Sequence, residues 1–166
     1  MVLGMSLEAF TLLHVVISLV GIASGFVVVF GLLKGKRLDR WTATFLVSTI
    51  LTSATGYLFP VHKLLPSHVV GAISLLVLAI AVVARYRFAL AGASRWTYVV
   101  TAMIALYLNV FVLIIQSFQK IAPLKALAPT GTEGPFNLAQ LAVLTIFCGL
   151  TIAAVREIQA NSGPGN

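Results

Sequence analysis

The sequence predicts an all-α fold, a polytopic transmembrane bundle of five helices with the N-terminus outside and the C-terminus cytoplasmic. Of its 166 residues, 60% are hydrophobic and only 9% are charged, whereas a soluble domain of this size needs a much more highly charged surface. The apolar residues form runs close to the roughly 20 residues that cross a bilayer as a helix. Basic residues concentrate in the turns that a five-span topology places on one side, which predicts the orientation.

The first apolar run predicts span one at about residues 9–33. No Lys or Arg precedes it, so it lacks the basic start of a secretory signal, and we expect it to remain in the mature protein. His14, Ser18, Gly21 and Gly25 step by four and three and therefore share one face. Gly21 and Gly25 form a GxxxG pair, which predicts close packing against another helix.

Spans two and three are predicted at about residues 41–59 and 67–84. Span two is rich in Thr and Ser, whose hydroxyls can bond their own backbone, and this favours a helix enclosed by its neighbours. Span three carries His68 and Gly71 on one face near its start, and we expect Gly71 to pack against another helix. An aromatic and basic segment typical of a membrane interface, residues 85–87, follows it.

Span four is predicted at about residues 96–119, a stretch without any charge. Its small, aromatic and amide residues recur at alternating steps of four and three, so they lie along one face. These residues are Tyr98, Ala102, Ala105, Asn109, Val112, Gln116 and Gln119. The pattern predicts that the other spans pack against this helix.

Span five is predicted at about residues 136–155, with Gln140 near its start. Residues 1–160 then form a single transmembrane domain, and residues 161–166 form a disordered tail rich in Gly, Pro and Asn. Cys148 lies in an apolar run and is the single cysteine, which favours an inert core thiol.

Charge supports the predicted threading. The net charge is +7, and five spans place eight basic residues on the inner side: Lys34, Lys36, Arg37, Arg40, Arg85, Arg87, Arg95 and Arg156. The outer side receives Lys63, Lys120 and Lys125. Membrane lipids are the expected partners of these charges, and the lack of mixed aromatic and basic patches argues against nucleic acid.

The same threading gathers polar side chains toward the outer end. The predicted ligand pocket, open to the outer face, consists of His14, Tyr57, His68, Asn109, Gln116, Gln119 and Gln140. Polar groups at membrane depth usually face the interior and are often functional. A structural alternative remains open, in which the amides serve as interhelical hydrogen bonds of about 0.6 kcal/mol each.

Several ligands fit such a pocket. Haem b would use imidazoles from two helices, His14 and His68, and a metal site would use His14, His62, His68 and a carboxylate. A quinone needs an apolar slot with donors such as histidine or glutamine. No span contains Asp or Glu, which disfavours a proton relay, and Glu133 with its neighbouring threonines indicates a turn.

The leading functional prediction is a non-enzymatic ligand-binding or accessory membrane subunit, in a larger membrane complex or a homo-oligomer. A haem b or quinone redox protein and a small-solute transporter are the alternatives. Two segments, RWTATFLVSTILTSATGYLFP and YVVTAMIALYLNVFVLIIQSFQKIAPLKALAPT, resemble a group of small, uncharacterised, multi-pass inner-membrane proteins of bacteria. This resemblance implies the bacterial cytoplasmic (inner) membrane and implies no mechanism.

Overall fold

The computed structural model describes residues 2–60 and 66–160. Within these ranges the chain is all-helical and forms no β-strand. His62 and the tail predicted to be disordered, residues 161–166, lie outside the described residues.

The described residues form six α-helices. They are α1 (Leu7–Leu32), α2 (Asp39–Gly56), α3 (Pro66–Val82), α4 (Ser94–Lys120), α5 (Ala122–Leu127) and α6 (Gly134–Ala160), and a π-helical turn, Val83–Arg87, extends α3. Among them, four segments are long and apolar enough to cross a membrane: Leu7–Leu32, Ser67–Arg87, Ser94–Lys120 and Gly134–Ala160. The segment α2 is not one of the four, because Asp39, Arg40 and many hydroxyl residues lower its hydropathy.

The helices α1 and α2 pack as an antiparallel hairpin. His14 near the start of α1 contacts Thr55 near the end of α2, whereas Gly25 lies against Phe45 further along the hairpin. Between them, Gly21 faces the hydroxyl groups of α2. The GxxxG face of α1 is therefore the face that α2 covers.

The helix α3 runs antiparallel to α2 along its whole length. At one end the Tyr57 hydroxyl donates a hydrogen bond to the His68 carbonyl at 2.6 Å. At the other end Asp39 pairs with Arg85 in the π-helical turn. Consequently α2 extends along α3 and its π-helical turn, and it lies along α1 from His14 to the C-terminal end of that helix.

The helix α4 lies at the centre of the bundle, in contact with α1, α2, α3 and α6. As predicted from the sequence, Tyr98, Ala102, Ala105 and Asn109 on its patterned face are buried. The same face becomes half-buried at Gln116 and exposed by Gln119. Ring contacts between α4 and α6, at 5.4 and 5.7 Å between centroids, show that α6 packs antiparallel to α4.

This alternating order gives the bundle two chemically different ends. The basic end contains the turns at residues 33–38 and 88–93 and the end of α6. The histidine end contains the start of α1, the end of α2 and the start of α3. We use these two names below.

Several details differ from the sequence-based expectation; α6, for example, ends at Ala160, five residues beyond the predicted end of span five at residue 155. The helix α2 ends at Gly56, three residues earlier than predicted, because a residue that precedes proline, here Phe59 before Pro60, avoids helical backbone angles. Cys148 is exposed on α6, so the prediction of a core thiol is wrong. Its neighbour Phe147 takes the buried position, and adjacent residues on a helix point to different sides.

Candidate functional site

His14 is held at the histidine end by a hydrogen bond of 2.8 Å between its Nδ1 and Thr55 Oγ1. Thr55 Oγ1 already donates to the Leu51 carbonyl at 2.7 Å, so it accepts from His14. In this arrangement the proton of the neutral imidazole is on Nδ1 and Nε2 keeps its lone pair; a Thr55 hydroxyl turned toward His14 would require the other tautomer. The Phe59 ring stands edge-on to the imidazole at 5.2 Å, and Lys120 lies within electrostatic range.

Tyr57 and His68 form a second contact at this end. Their rings lie 5.3 Å apart between centroids, in addition to the bond from the Tyr57 hydroxyl to the His68 carbonyl. A Cβ at Gly71 would lie 3.3 Å from the Tyr57 ring and hydroxyl. The absence of a side chain at Gly71 thus lets the tyrosine pack closely on α3.

Asn109 lies deeper, where α1, α2 and α4 meet. It is 9% exposed, Thr49 on α2 is 1% exposed, and neither Asn109 Nδ2 nor Thr49 Oγ1 has a hydrogen-bond partner among the described residues. The two atoms lie 3.3 and 3.1 Å from the point that a Cβ on Gly21 would occupy. Gly21 therefore allows two unpartnered polar groups to converge inside the bundle.

Thr49, like Thr52 on the same helix, has a buried hydroxyl without a partner among the described residues, in contrast to Ser48 and Thr101. Ser48 bonds the Thr44 carbonyl at 2.5 Å and Thr101 bonds the Thr97 carbonyl at 2.7 Å, each within its own helix. Such bonds satisfy the hydroxyl at little cost. The Thr49 hydroxyl instead points across the interface to α1.

The three glutamines of the predicted pocket lie on or near the half of α4 that is closer to the histidine end. Gln140 on α6 donates from Nε2 to the Phe111 carbonyl at 3.3 Å, and its buried Oε1 has no partner among the described residues. Gln116 is half-buried and Gln119 is exposed. The structure thus brings His14, Tyr57 and His68 to one end, and it places Asn109 and Gln140 at greater depth.

The predicted metal set is only partly described. In residues 2–60 and 66–160, no three His, Cys, Asp or Glu side chains come close enough to share a metal ion. His62, the third predicted ligand, lies outside these ranges. The metal hypothesis therefore stays a prediction.

A cavity of about 190 Å³ lies at the basic end, which the sequence reasoning did not single out as a site. Its polar lining consists of Lys36, Arg37, Thr42, Arg85, Arg95 and Tyr98, and Val28, Leu32, Leu38, Leu90, Val99 and Ile158 supply apolar walls. The sequence signal was present in the basic turns of residues 34–40 and 85–95. These charges predict the membrane orientation, but their convergence on one cavity depends on how the turns fold and is not visible in the sequence.

The turn after α1 directs Lys36 and Arg37 into this lining. Gly35 has a φ of +62°, and the amides of Gly35 and Lys36 donate to the Leu32 and Gly31 carbonyls at 3.1 and 2.9 Å. This is a Schellman cap, which reverses the chain after a helix and favours glycine at the left-handed position. Lys36 and Arg37 follow it directly.

Arg85 forms the buried part of the same lining. Arg85 is only 7% exposed, and its guanidinium pairs with the carboxylate of Asp39 at the start of α2. The guanidinium carbon also lies 5.2 Å from the centre of the Tyr98 ring, a cation–π geometry. π-Helical turns such as Val83–Arg87 are rare in proteins as a whole. Those that do occur are often found at functional sites.

Comparison of the chain with protein-family models, with curated proteins and with solved structures finds no match. Its site is therefore assigned from the geometry and chemistry of its own residues.

Proposed function

We propose that the protein crosses the bacterial inner membrane five times, with its N-terminus outside and its C-terminus in the cytoplasm. The fifth crossing is α2, whose 18 residues at 1.5 Å rise give about 27 Å, close to the hydrocarbon thickness of a bilayer. It lies antiparallel to α1 and α3, which are long and apolar enough to span. Exposed Trp41 and Tyr57 near its two ends fit the aromatic belts of a membrane.

Within this topology the function best supported is non-enzymatic ligand binding inside the bundle. The observation that carries it is that Thr49 Oγ1 and Asn109 Nδ2, which both lie beside Gly21, are buried and have no hydrogen-bond partner among the described residues. An unsatisfied polar group is costly in a dry interior. Apolar side chains at both positions would avoid this cost, so the presence of polar ones favours a binding role. A ligand that forms hydrogen bonds with both groups would offset the cost.

The polar gradient along α4 favours entry from the histidine end. Asn109 is buried, Gln116 is half-buried and Gln119 is exposed, so polar groups continue from the interior to that end. The ligand expected here is a small, uncharged molecule with hydrogen-bonding groups, because the site offers a hydroxyl and an amide and no charge. Its outer approach would pass the half-buried imidazole of His14.

Thr49→Val tests this function, because valine keeps the shape of threonine and removes the unpartnered hydroxyl. The protein is purified in a mild non-ionic detergent, extracted with solvent, and analysed by mass spectrometry for small molecules in stoichiometric amount. We expect such a molecule in the natural protein and a large loss of it in Thr49→Val. When both proteins are free of ligand, the melting temperature of Thr49→Val should be no lower than that of the natural protein.

Thr101→Val is the matched control. Thr101 is also buried on a bundle helix, but its hydroxyl is bonded to the Thr97 carbonyl, so this variant should keep the ligand. If the natural protein carries no small molecule and Thr49→Val is destabilised as much as Thr101→Val, the hydroxyl has only a structural role and the proposal fails.

A haem protein is the second candidate, favoured by the tautomer of His14. When Nδ1 donates to Thr55, Nε2 has the lone pair that a haem iron requires. The same tautomer fits a quinone carbonyl less well, since Nε2 of the neutral ring has no proton to donate. A Soret band that disappears in both His14→Ala and His68→Ala would support haem, and a colourless preparation from haem-supplemented cells would exclude it.

A further inference from the structure

The cavity at the basic end is strongly cationic. Lys36, Arg37, Arg85 and Arg95 line it, and the carboxylates beside it are Asp39, which pairs with Arg85, and Glu157, which precedes the lining residue Ile158 in α6. Four cations against two carboxylates leave an excess of positive charge. Lys36, Arg37 and Arg95 are exposed, and an anion bound between like charges that line one cavity would reduce their repulsion.

Two helix N-termini meet at the same place. The helix α2 begins at Asp39 beside the lining residue Leu38, and α4 begins at Ser94 beside Arg95. No side chain caps the first amides of α2, whereas in α4 the Ser94 and Arg95 amides already donate to the Ala91 and Gly92 carbonyls at 3.1 and 3.3 Å. The amides at a helix start carry partial positive charge and favour anions, phosphate in particular.

The Tyr98 hydroxyl adds a polar group without a partner. Tyr98 is 1% exposed, it lines the cavity, and among the described residues its hydroxyl has no well-formed hydrogen bond. Thr42 and Arg85 lie close enough to interact with it, but neither forms a hydrogen bond of good geometry to it. A buried hydroxyl of this kind is expected to find a partner, and a phosphate oxygen held by Arg85 would provide one.

We propose that this cavity binds a phosphate group. The charge of the phosphate is neutralised by Lys36, Arg37 and Arg95. Arg85 donates a hydrogen bond to it from the buried side of the cavity, and the Tyr98 hydroxyl donates another. The apolar walls from α1, α4 and α6 accommodate the organic part of a phosphate ester. The phosphate comes either from the head group of an anionic phospholipid or from a soluble phosphate compound, and the experiment below separates these sources.

The same chemistry recurs in membrane proteins. Basic pockets between helices on the cytoplasmic side bind anionic lipid head groups. Each Lys or Arg in such a pocket multiplies the binding affinity by about ten at most. The site differs from a diffuse basic surface because Arg85 and Tyr98 are buried and oriented. This proposal does not depend on the ligand site at Asn109, which lies at a different depth.

The test measures thermal unfolding of the purified protein in an uncharged detergent at constant ionic strength. One arm adds inorganic phosphate against chloride, and the other adds phosphatidylglycerol against phosphatidylcholine. The test variant is the double substitution Lys36→Gln with Arg37→Gln. Its matched control is Lys34→Gln with Arg40→Gln, which removes the same charge at the same end from side chains outside the lining.

We expect a rise in melting temperature with phosphate, with phosphatidylglycerol, or with both, and an apparent affinity reduced about 30-fold in the test variant. The control should keep the natural affinity. Tyr98→Phe should weaken binding about tenfold without lowering the melting temperature of the ligand-free protein. A response to phosphate identifies a soluble source, and a response to phosphatidylglycerol alone identifies a lipid.

Two results would overturn the proposal. In the first, neither probe raises the melting temperature of the natural protein. In the second, both double variants lose affinity equally, which would mean that the basic end attracts anions through its overall charge and not through this cavity.

Discussion

Gly25 on α1 lies directly against Leu106 on α4, so closely that a Cβ at position 25 would be 2.6 Å from Leu106 Cδ1. The same Cβ would lie 3.0 Å from the Phe45 ring on α2. Both neighbours are buried, and neither can move aside without disturbing others. Among the described glycines, Gly25 therefore marks the closest approach between helices, here α1, α2 and α4.

We expect Gly25→Ala to lower the stability of the bundle by about 1–3 kcal/mol, the usual cost of overpacking a core. The measurement is thermal or denaturant unfolding in detergent. Gly149→Ala on α6 is the control, because a Cβ there would meet no atom within 4 Å. Equal melting temperatures for the two variants would mean that the helices separate easily at this point.

Asp39→Asn should destabilise the protein by about 1–2 kcal/mol, because Arg85 would stay buried without a carboxylate. Asp39 itself is 71% exposed in its side chain, so salt should weaken the pair and reduce the effect. Glu8→Gln is the matched control. Glu8 also lies in the first turn of a helix, but it forms no ion pair within the described residues.

The helices and the buried face of α4 could be predicted because their signals are local. Tyr98, Ala102, Ala105 and Asn109 share a face through helical periodicity alone. The partner of His14 could not be predicted, since Thr55 is one of several threonines on α2 and register decides which one it meets. The basic cavity was missed for a related reason. Lys36 and Arg95 converge only after a Schellman cap ends α1 and the turn at residues 88–93 reverses the chain between α3 and α4.

Glu133 should make stability depend on pH in the acid range. Its carboxylate accepts bonds from the Thr130 amide at 2.9 Å, the Thr130 hydroxyl at 2.8 Å and the Thr132 amide at 3.0 Å. These bonds favour the charged form and lower its pKa from 4.5 to about 2, with the Thr130 amide as the largest cause. A lowered folded-state pKa stabilises the fold fully above the unfolded value, and this contribution disappears as the pH falls toward 2.

Glu133→Gln provides the measurement. The difference in melting temperature between the natural protein and this variant should be largest at pH 7, smaller at pH 3.5, and absent near pH 2. Glu8→Gln again serves as a control. A difference that stays constant over this range would show that the loop bonds do not depend on the carboxylate charge.

The topology can be tested with single cysteines introduced into a Cys148→Ser background. Cysteines at Lys36, Ala91 and Gly131 report the turns before α2, before α4 and before α6. Because α2 runs antiparallel to both α1 and α3 from end to end, Lys36 and Ala91 must lie on the same side if all five helices cross. We expect a membrane-impermeant maleimide to label Gly131→Cys in intact cells, and to label the other two only after lysis. Labelling of Lys36→Cys and Ala91→Cys from opposite sides would mean that α2 does not cross.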